Sequence, residues 1–276
     1  MAERTWPVLV AEAVGTFLFF FIGAGAVVVT TVAGPGGPGL VGVALAHGLA
    51  LAVLVSALAA VGSGHFNPAV SFALWVAGRM TAARVGMFVV AQLAGAVVAG
   101  LVLRGLFSPA AWGPTKIGTP ALGSGIGPAA GIAIEAVLTL LLVLVVLGTA
   151  VDSRAPQLGG LAIGLAVAAD ILMGGPLTGA AMNPARWFGP AVASGALDNW
   201  YVWWVGPLAG AAVAGLLYRY AFATPESTIG LQEEAEGALD APEGVGDDEH
   251  AHHHDEDAGH HGHDPMAAPQ QGNDGT

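Results

Sequence analysis

The chain has 276 residues and no cysteine. That excludes disulfides, thiol nucleophiles and thiolate metal sites. Charge is also scarce: Asp, Glu, Lys and Arg make up 10% of the residues, where a soluble domain carries about 25%. The 8 Lys and Arg are too few and too scattered to form the basic surface that nucleic acid requires, so no nucleic-acid partner is expected. Lys and Arg are missing altogether after Ala223, and most of the acids lie there, so the net charge of −12 belongs to the tail and not to the body. Hydrophobic residues supply 54% and mean hydropathy is +0.67, values of a membrane protein. The 42 glycines suit close helix packing in lipid. The first apolar run has no long basic region before it and no small-residue cleavage site soon after it, and it is too long for a signal peptide. It reads as a retained span and not as a signal peptide.

Against this background one tripeptide occurs twice, as Asn67-Pro68-Ala69 and as Asn183-Pro184-Ala185. Asn is a favoured N-cap and Pro is favoured in the first helical turn, so each copy reads as a helix start. The apolar runs that follow are too short to span a bilayer, which takes about 20 residues. They read as half-helices, roughly 68–76 and 184–192, whose irregular lead-ins are tolerated at membrane depth only beside a cavity. Two such helices meeting tip to tip bring two positive dipole ends and two amides to one point. That arrangement handles a neutral polar solute and repels cations.

Full spans are expected at Val8–Val32, Leu40–Val61, Val85–Leu106, Ala130–Val151, Leu158–Met173 and Tyr201–Phe222, the last opened by interfacial aromatics. A Pro/Gly-rich loop lies at Ser108–Pro128. The chain also repeats itself. Asn67 and Asn183 stand 116 apart, as do Gly48-Leu49-Ala50 and Gly164-Leu165-Ala166. Leu93-Ala94-Gly95-Ala96 returns as Leu208-Ala209-Gly210-Ala211, and Glu12-Ala13-Val14 as Glu135-Ala136-Val137. Three spans per half is an odd number, so the halves are inverted in the membrane. The expected fold class is an all-α membrane protein: six spans and two half-helices in an inverted repeat. Its parts are residues 1–106, a connecting loop at 107–129, residues 130–222, and a tail at 223–276. Arg4, Arg79, Arg84, Arg154 and Arg219 fall on one side, so both termini are expected in the cytoplasm.

With these features together, the chain resembles the aquaporin (major intrinsic protein) family over roughly residues 8 to 222. The segments Ser63-Gly64-His65-Phe66-Asn67-Pro68-Ala69-Val70 and Met182-Asn183-Pro184-Ala185-Arg186 carry the resemblance. It implies a homotetramer in a lipid bilayer with one pore per subunit, no enzyme activity and no cofactor. It also implies that Glu12 and Glu135 accept the hydrogen bonds that hold the pore loops. A secondary transporter is the competing class, since carriers also use inverted repeats and broken helices. Carriers place ionisable groups at mid-membrane, and here that set is small: Glu12, His47, Glu135, Asp170 and Arg186. An intramembrane enzyme would need a nucleophile–base pair or a metal constellation, which the spans lack.

Asn67 and Asn183 are expected to point amide donors at the passing solute. Carbonyl acceptors would come from Gly64, His65, Phe66, Gly179, Ala181 and Met182. In family terms the selectivity filter falls on His47, Ile171, Ala180 and Arg186, with Arg186 a fixed barrier to cations. This set resembles the plant vacuolar-membrane branch, whose members commonly pass ammonia, urea or other small neutral solutes along with water. The resemblance therefore implies a passive channel for water and such solutes, with hydrogen peroxide and glycerol as wider candidates. A strict water channel is the alternative. Trp187 matches neither the water nor the glycerol branch. Asp170, beside Ile171, has two readings, a packed structural acid or a group that tunes the filter, and the structural one is favoured. The tail is acidic and poor in apolar residues, which predicts disorder. Its His250, His252, His253, His254, His260, His261 and His263 are weak candidates for divalent metal, and no metal site is assigned. The plasma membrane is the expected location.

Overall fold

In a bilayer the backbone finds no water, so long apolar runs satisfy their own N–H and C=O groups as helices. The computed structural model describes residues 2–62, 64–155 and 158–224. They form α1 (Ala2–Ala33), α2 (Gly39–Leu58), α3 (Pro68–Val76), α4 (Ala82–Leu106), α5 (Pro109–Trp112), α6 (Pro128–Val146), α7 (Gly159–Thr178), α8 (Pro184–Ser194) and α9 (Val202–Leu217). Six of these, taken with the turns that extend them, are long and apolar enough to cross a membrane. No strand occurs among the described residues. The tail's seven histidines lie outside the described residues.

The packing is unchanged when the halves are exchanged. Helix α1 packs on α4 as α6 packs on α9, and α1 on α2 as α6 on α7. Helix α4 meets α8 as α9 meets α3, while α2 meets α7 and α3 meets α8 across the centre. The glycines show why the repeat in sequence becomes a repeat in space. A Cβ at Gly95 would strike the Ala13 carbonyl, and a Cβ at Gly210 would strike the Ala136 carbonyl. The helices approach to backbone distance at matching points of both halves, and only Gly permits that.

Helices α3 and α8 have 9 and 11 residues. At 1.5 Å per residue each covers about half of a ~30 Å hydrocarbon core. Helix α8 runs two residues past Val192 and stops where Gly195 turns left-handed at φ 77. Helix α7 departs further from expectation. It continues through Gly174, Gly175 and Pro176 to Thr178, where Met173 was the expected end. The Gly-Gly-Pro run reads as a loop, but Gly174 packs against Leu138 and Gly175 against Leu40. Tertiary contact overrides the local preference, and the helix ends only at Gly179, whose φ is 82 and whose N–H bonds the Gly175 carbonyl at 3.0 Å. The lead-in to the second half-helix is therefore short, Gly179 to Met182.

The candidate pore and its filter

Asn67 and Asn183 are extended N-caps, at φ −156 and −158. The Asn67 side-chain oxygen accepts from Ala69 N at 2.8 Å; that of Asn183 accepts from Ala185 N at 2.9 Å and Arg186 N at 3.3 Å. Each amide then donates across the pseudo-twofold axis. Asn67 Nδ2 donates to the Met182 carbonyl and Asn183 Nδ2 to the Phe66 carbonyl, both at 2.9 Å. The half-helices are thus locked tip to tip by a reciprocal pair of bonds. An amide nitrogen carries two hydrogens, so one N–H per Asn is spent on the lock and the other is not.

The lead-in loops need unusual backbone. Phe66, Ala180 and Met182 sit at φ 46, 43 and 53, although none is Gly. Each such residue costs on the order of 1–3 kcal/mol and must be held by its surroundings. Two glutamates, both fully buried, do the holding. Glu12 Oε1 accepts from Gly64 N at 3.0 Å and His65 N at 2.9 Å; its Oε2 accepts from Phe66 N at 2.9 Å and Gln92 Nε2 at 2.7 Å. Glu135 Oε1 accepts from Thr178 Oγ1 at 2.6 Å and Ala181 N at 2.9 Å; its Oε2 accepts from Met182 N at 2.7 Å. Charge-assisted bonds of this kind are the strong ones.

Arg186 is buried, with two partners. Its Nε donates to His47 Nε2 at 3.0 Å and one Nη to the Gly118 carbonyl at 2.8 Å. His47 Nδ1 lies 2.9 Å from the Val43 carbonyl. Since a carbonyl only accepts, Nδ1 carries the proton and Nε2 offers Arg186 its lone pair. The ring is therefore turned towards the guanidinium.

His47, Ile171, Ala180 and Arg186 line one cavity, together with Asn67 and Asn183. Gly64, His65, Ala181 and Met182 line it as well; Phe66 and Gly179 do not. The Phe66 carbonyl is engaged by Asn183 and its ring lies over Gly15, while Gly179 caps α7 against Pro120. Val70, Leu142, Val146, Ile163 and Val167 make much of the remaining wall apolar. Asp170 is buried but does not line the cavity, and its Oδ2 has no partner among the described residues.

Several contributors were not singled out from the sequence. Gln92 and Thr178 hold the glutamates, and each was visible as a polar residue in or at the end of an apolar span. Gly118 supplies a carbonyl at the end of three consecutive left-handed residues, Lys116, Ile117 and Gly118. A backbone acceptor in a Gly-rich loop carries no side-chain signal.

The family model described as Major intrinsic protein matches residues 2–218. The chain belongs to that family. It is 46% identical over 216 residues to Aquaporin TIP4-4 of Zea mays, covering 76% of this chain and 84% of that protein. It is 41% identical over 219 residues to Aquaporin TIP2-1 of Arabidopsis thaliana, covering 77% and 86%. Among solved structures it resembles the aquaglyceroporin from Plasmodium falciparum, with a TM-score of 0.69 and 25% identity over 79% of this chain and 97% of that one. The chain is accordingly a multi-pass membrane channel of the aquaporin family and not an enzyme. The relatives are tonoplast-type (TIP) aquaporins, so the expectation of a plasma-membrane location is not supported.

Proposed function

We propose that this aquaporin conducts water together with small neutral solutes, ammonia foremost, and excludes protons and ions. Urea, hydrogen peroxide and glycerol are the wider candidates. The observation that carries this reading is the uneven composition of the filter. The side chains of His47 and Arg186 offer polar atoms to the cavity, while those of Ile171 and Ala180 offer only carbon. A strict water filter needs a narrow opening with hydrogen-bonding groups all round. An aliphatic wall penalises a solute with apolar surface less. Water columns are interrupted at Asn67 and Asn183, where each remaining amide N–H donates and the half-helix dipoles add positive potential. Arg186 adds the fixed cation barrier.

A strict water channel is the second reading, and one contact favours it. The bond from Arg186 holds the His47 ring towards the guanidinium, a position that would narrow the opening. The double variant His47→Phe with Ile171→His separates the two. In proteoliposomes it depresses ammonia and urea permeability much more than water permeability if the wild type passes all three. If the wild type already excludes ammonia and urea, the strict reading replaces ours. We further infer a homotetramer with cytoplasmic termini, the first checked by native mass spectrometry in detergent and the second by protease protection.

A further inference from the structure

Trp187 directly follows Arg186, and its indole is buried. It lies parallel to the indole of Trp203 on α9, with ring centroids 5.6 Å apart and planes within 8°. The Trp203 Nε1–H donates to the Thr178 carbonyl at 3.0 Å. Thr178 is the last residue of α7, and its hydroxyl accepts from Ala180 N at 3.2 Å while donating to Glu135. The two indoles pack in one cluster with Ala181, Ala191 and Val202. A single stack therefore joins Trp187, the chain neighbour of Arg186, through Trp203 to Thr178, the anchor of Ala180. Arg186 itself makes no ion pair among the described residues and is held by two neutral acceptors, one of them a loop carbonyl. Trp187 adjoins Arg186 in the chain, so the stack bears on its backbone.

We propose that the Trp187–Trp203 stack is a positioning clamp that fixes the Arg186 edge of the filter relative to the Ala180 edge, and so sets which neutral solutes pass. The inference rests on reading His47, Ile171, Ala180 and Arg186 as the filter. Offset stacked rings resist relative rotation, and the indole N–H adds a directional tie that packing alone lacks. Neither Trp lines the cavity, so each acts through its neighbours and touches no solute.

The test compares Trp187→Phe, Trp187→Ala, Trp203→Phe and Arg186→Val in proteoliposomes, with permeability normalised to folded protein per vesicle. The readout is the ratio of urea to water permeability, which a loss of folded channels alone does not move. Trp187→Phe keeps a stacking face and the wild-type ratio. Trp187→Ala and Trp203→Phe, the latter lacking only the indole N–H and part of the ring, shift it about threefold or more. If Trp187→Ala fails to fold, Trp203→Phe decides. A ratio that shifts in Arg186→Val but in neither Trp variant overturns the clamp and leaves the filter reading intact. A ratio unmoved in Arg186→Val as well overturns the filter reading and the clamp with it.

Discussion

Arg186 is a buried cation that depends on His47 and on one backbone carbonyl, and this shapes what a substitution does there. His47→Ala leaves the Nε–H of a buried guanidinium without its acceptor, a loss of about 1–3 kcal/mol. It also removes the ring that narrows the opening. The expected outcome is a lower unfolding temperature in detergent and a higher urea-to-water permeability ratio. A lower unfolding temperature with an unchanged ratio would leave His47 a purely structural partner. At this scale the sequence carried a good deal. The family resemblance carried by the two Asn-Pro-Ala segments implied His47, 139 residues away, as a member of the same candidate site as Arg186. It did not carry the hydrogen bond between them, which depends on a rotamer. Nor did it carry Gly118, whose contribution is a carbonyl that every residue possesses.

The half-helices work as elements because their lead-ins are strained and then pinned. Three backbone or hydroxyl donors converge on Glu135, and its two oxygens accept all of them. Glu135→Gln replaces one oxygen with an NH₂ that faces donors and accepts nothing. At least one buried donor is then unsatisfied, again about 1–3 kcal/mol. We expect reduced thermal stability and, in the folded fraction, reduced water permeability, because the Met182 carbonyl that receives Asn67 is no longer aimed. Asn183→Ala tests the lock from the other side: it removes an N-cap, worth about 1 kcal/mol, together with the bond to Phe66. Stability and single-channel water permeability fall together, and a stable variant with wild-type permeability would remove the lock from the account. Helix starts were legible at this scale since Asn and Pro signal them locally. The end of α7 was not, because Gly174-Gly175-Pro176 breaks helices by itself and is held helical by contacts from other elements, Leu138, Leu40 and the Gly123 N–H that donates to the Leu177 carbonyl.

Across the whole molecule, the loop after α6 is tied to the turn that follows α9, Tyr218–Phe222. Arg154 binds Asp152 through Nε at 2.9 Å and Nη2 at 2.6 Å, and also donates to the Phe222 carbonyl at 3.2 Å. The Arg154 guanidinium holds the Asp152 carboxyl well below its ordinary value of 3.8. A depressed carboxyl contributes stability above its ordinary pKa and loses it only as pH falls towards the lowered one. The destabilisation caused by Asp152→Asn is therefore constant across neutral and mildly acid pH and shrinks only in stronger acid, as thermal unfolding of both proteins down to pH 3 would record. A difference that vanishes already at pH 6 would contradict this. Ending the chain after Thr224 removes the acidic segment and leaves basal water permeability in place, since the filter and the Asn lock lie wholly within the preceding residues. The overall architecture was the most legible feature of all, because six apolar runs and a repeated set of small residues permit little else in lipid. A passive pore whose half-apolar filter admits ammonia with water, as proposed above, is probed by imposing an inward ammonium gradient on wild-type proteoliposomes loaded with a pH-sensitive dye. The expected outcome is internal alkalinisation faster than in protein-free vesicles and faster than with the His47→Phe, Ile171→His double variant, rising with the gradient without saturating. Alkalinisation no faster than in empty vesicles, in a preparation whose water permeability is high, would contradict it.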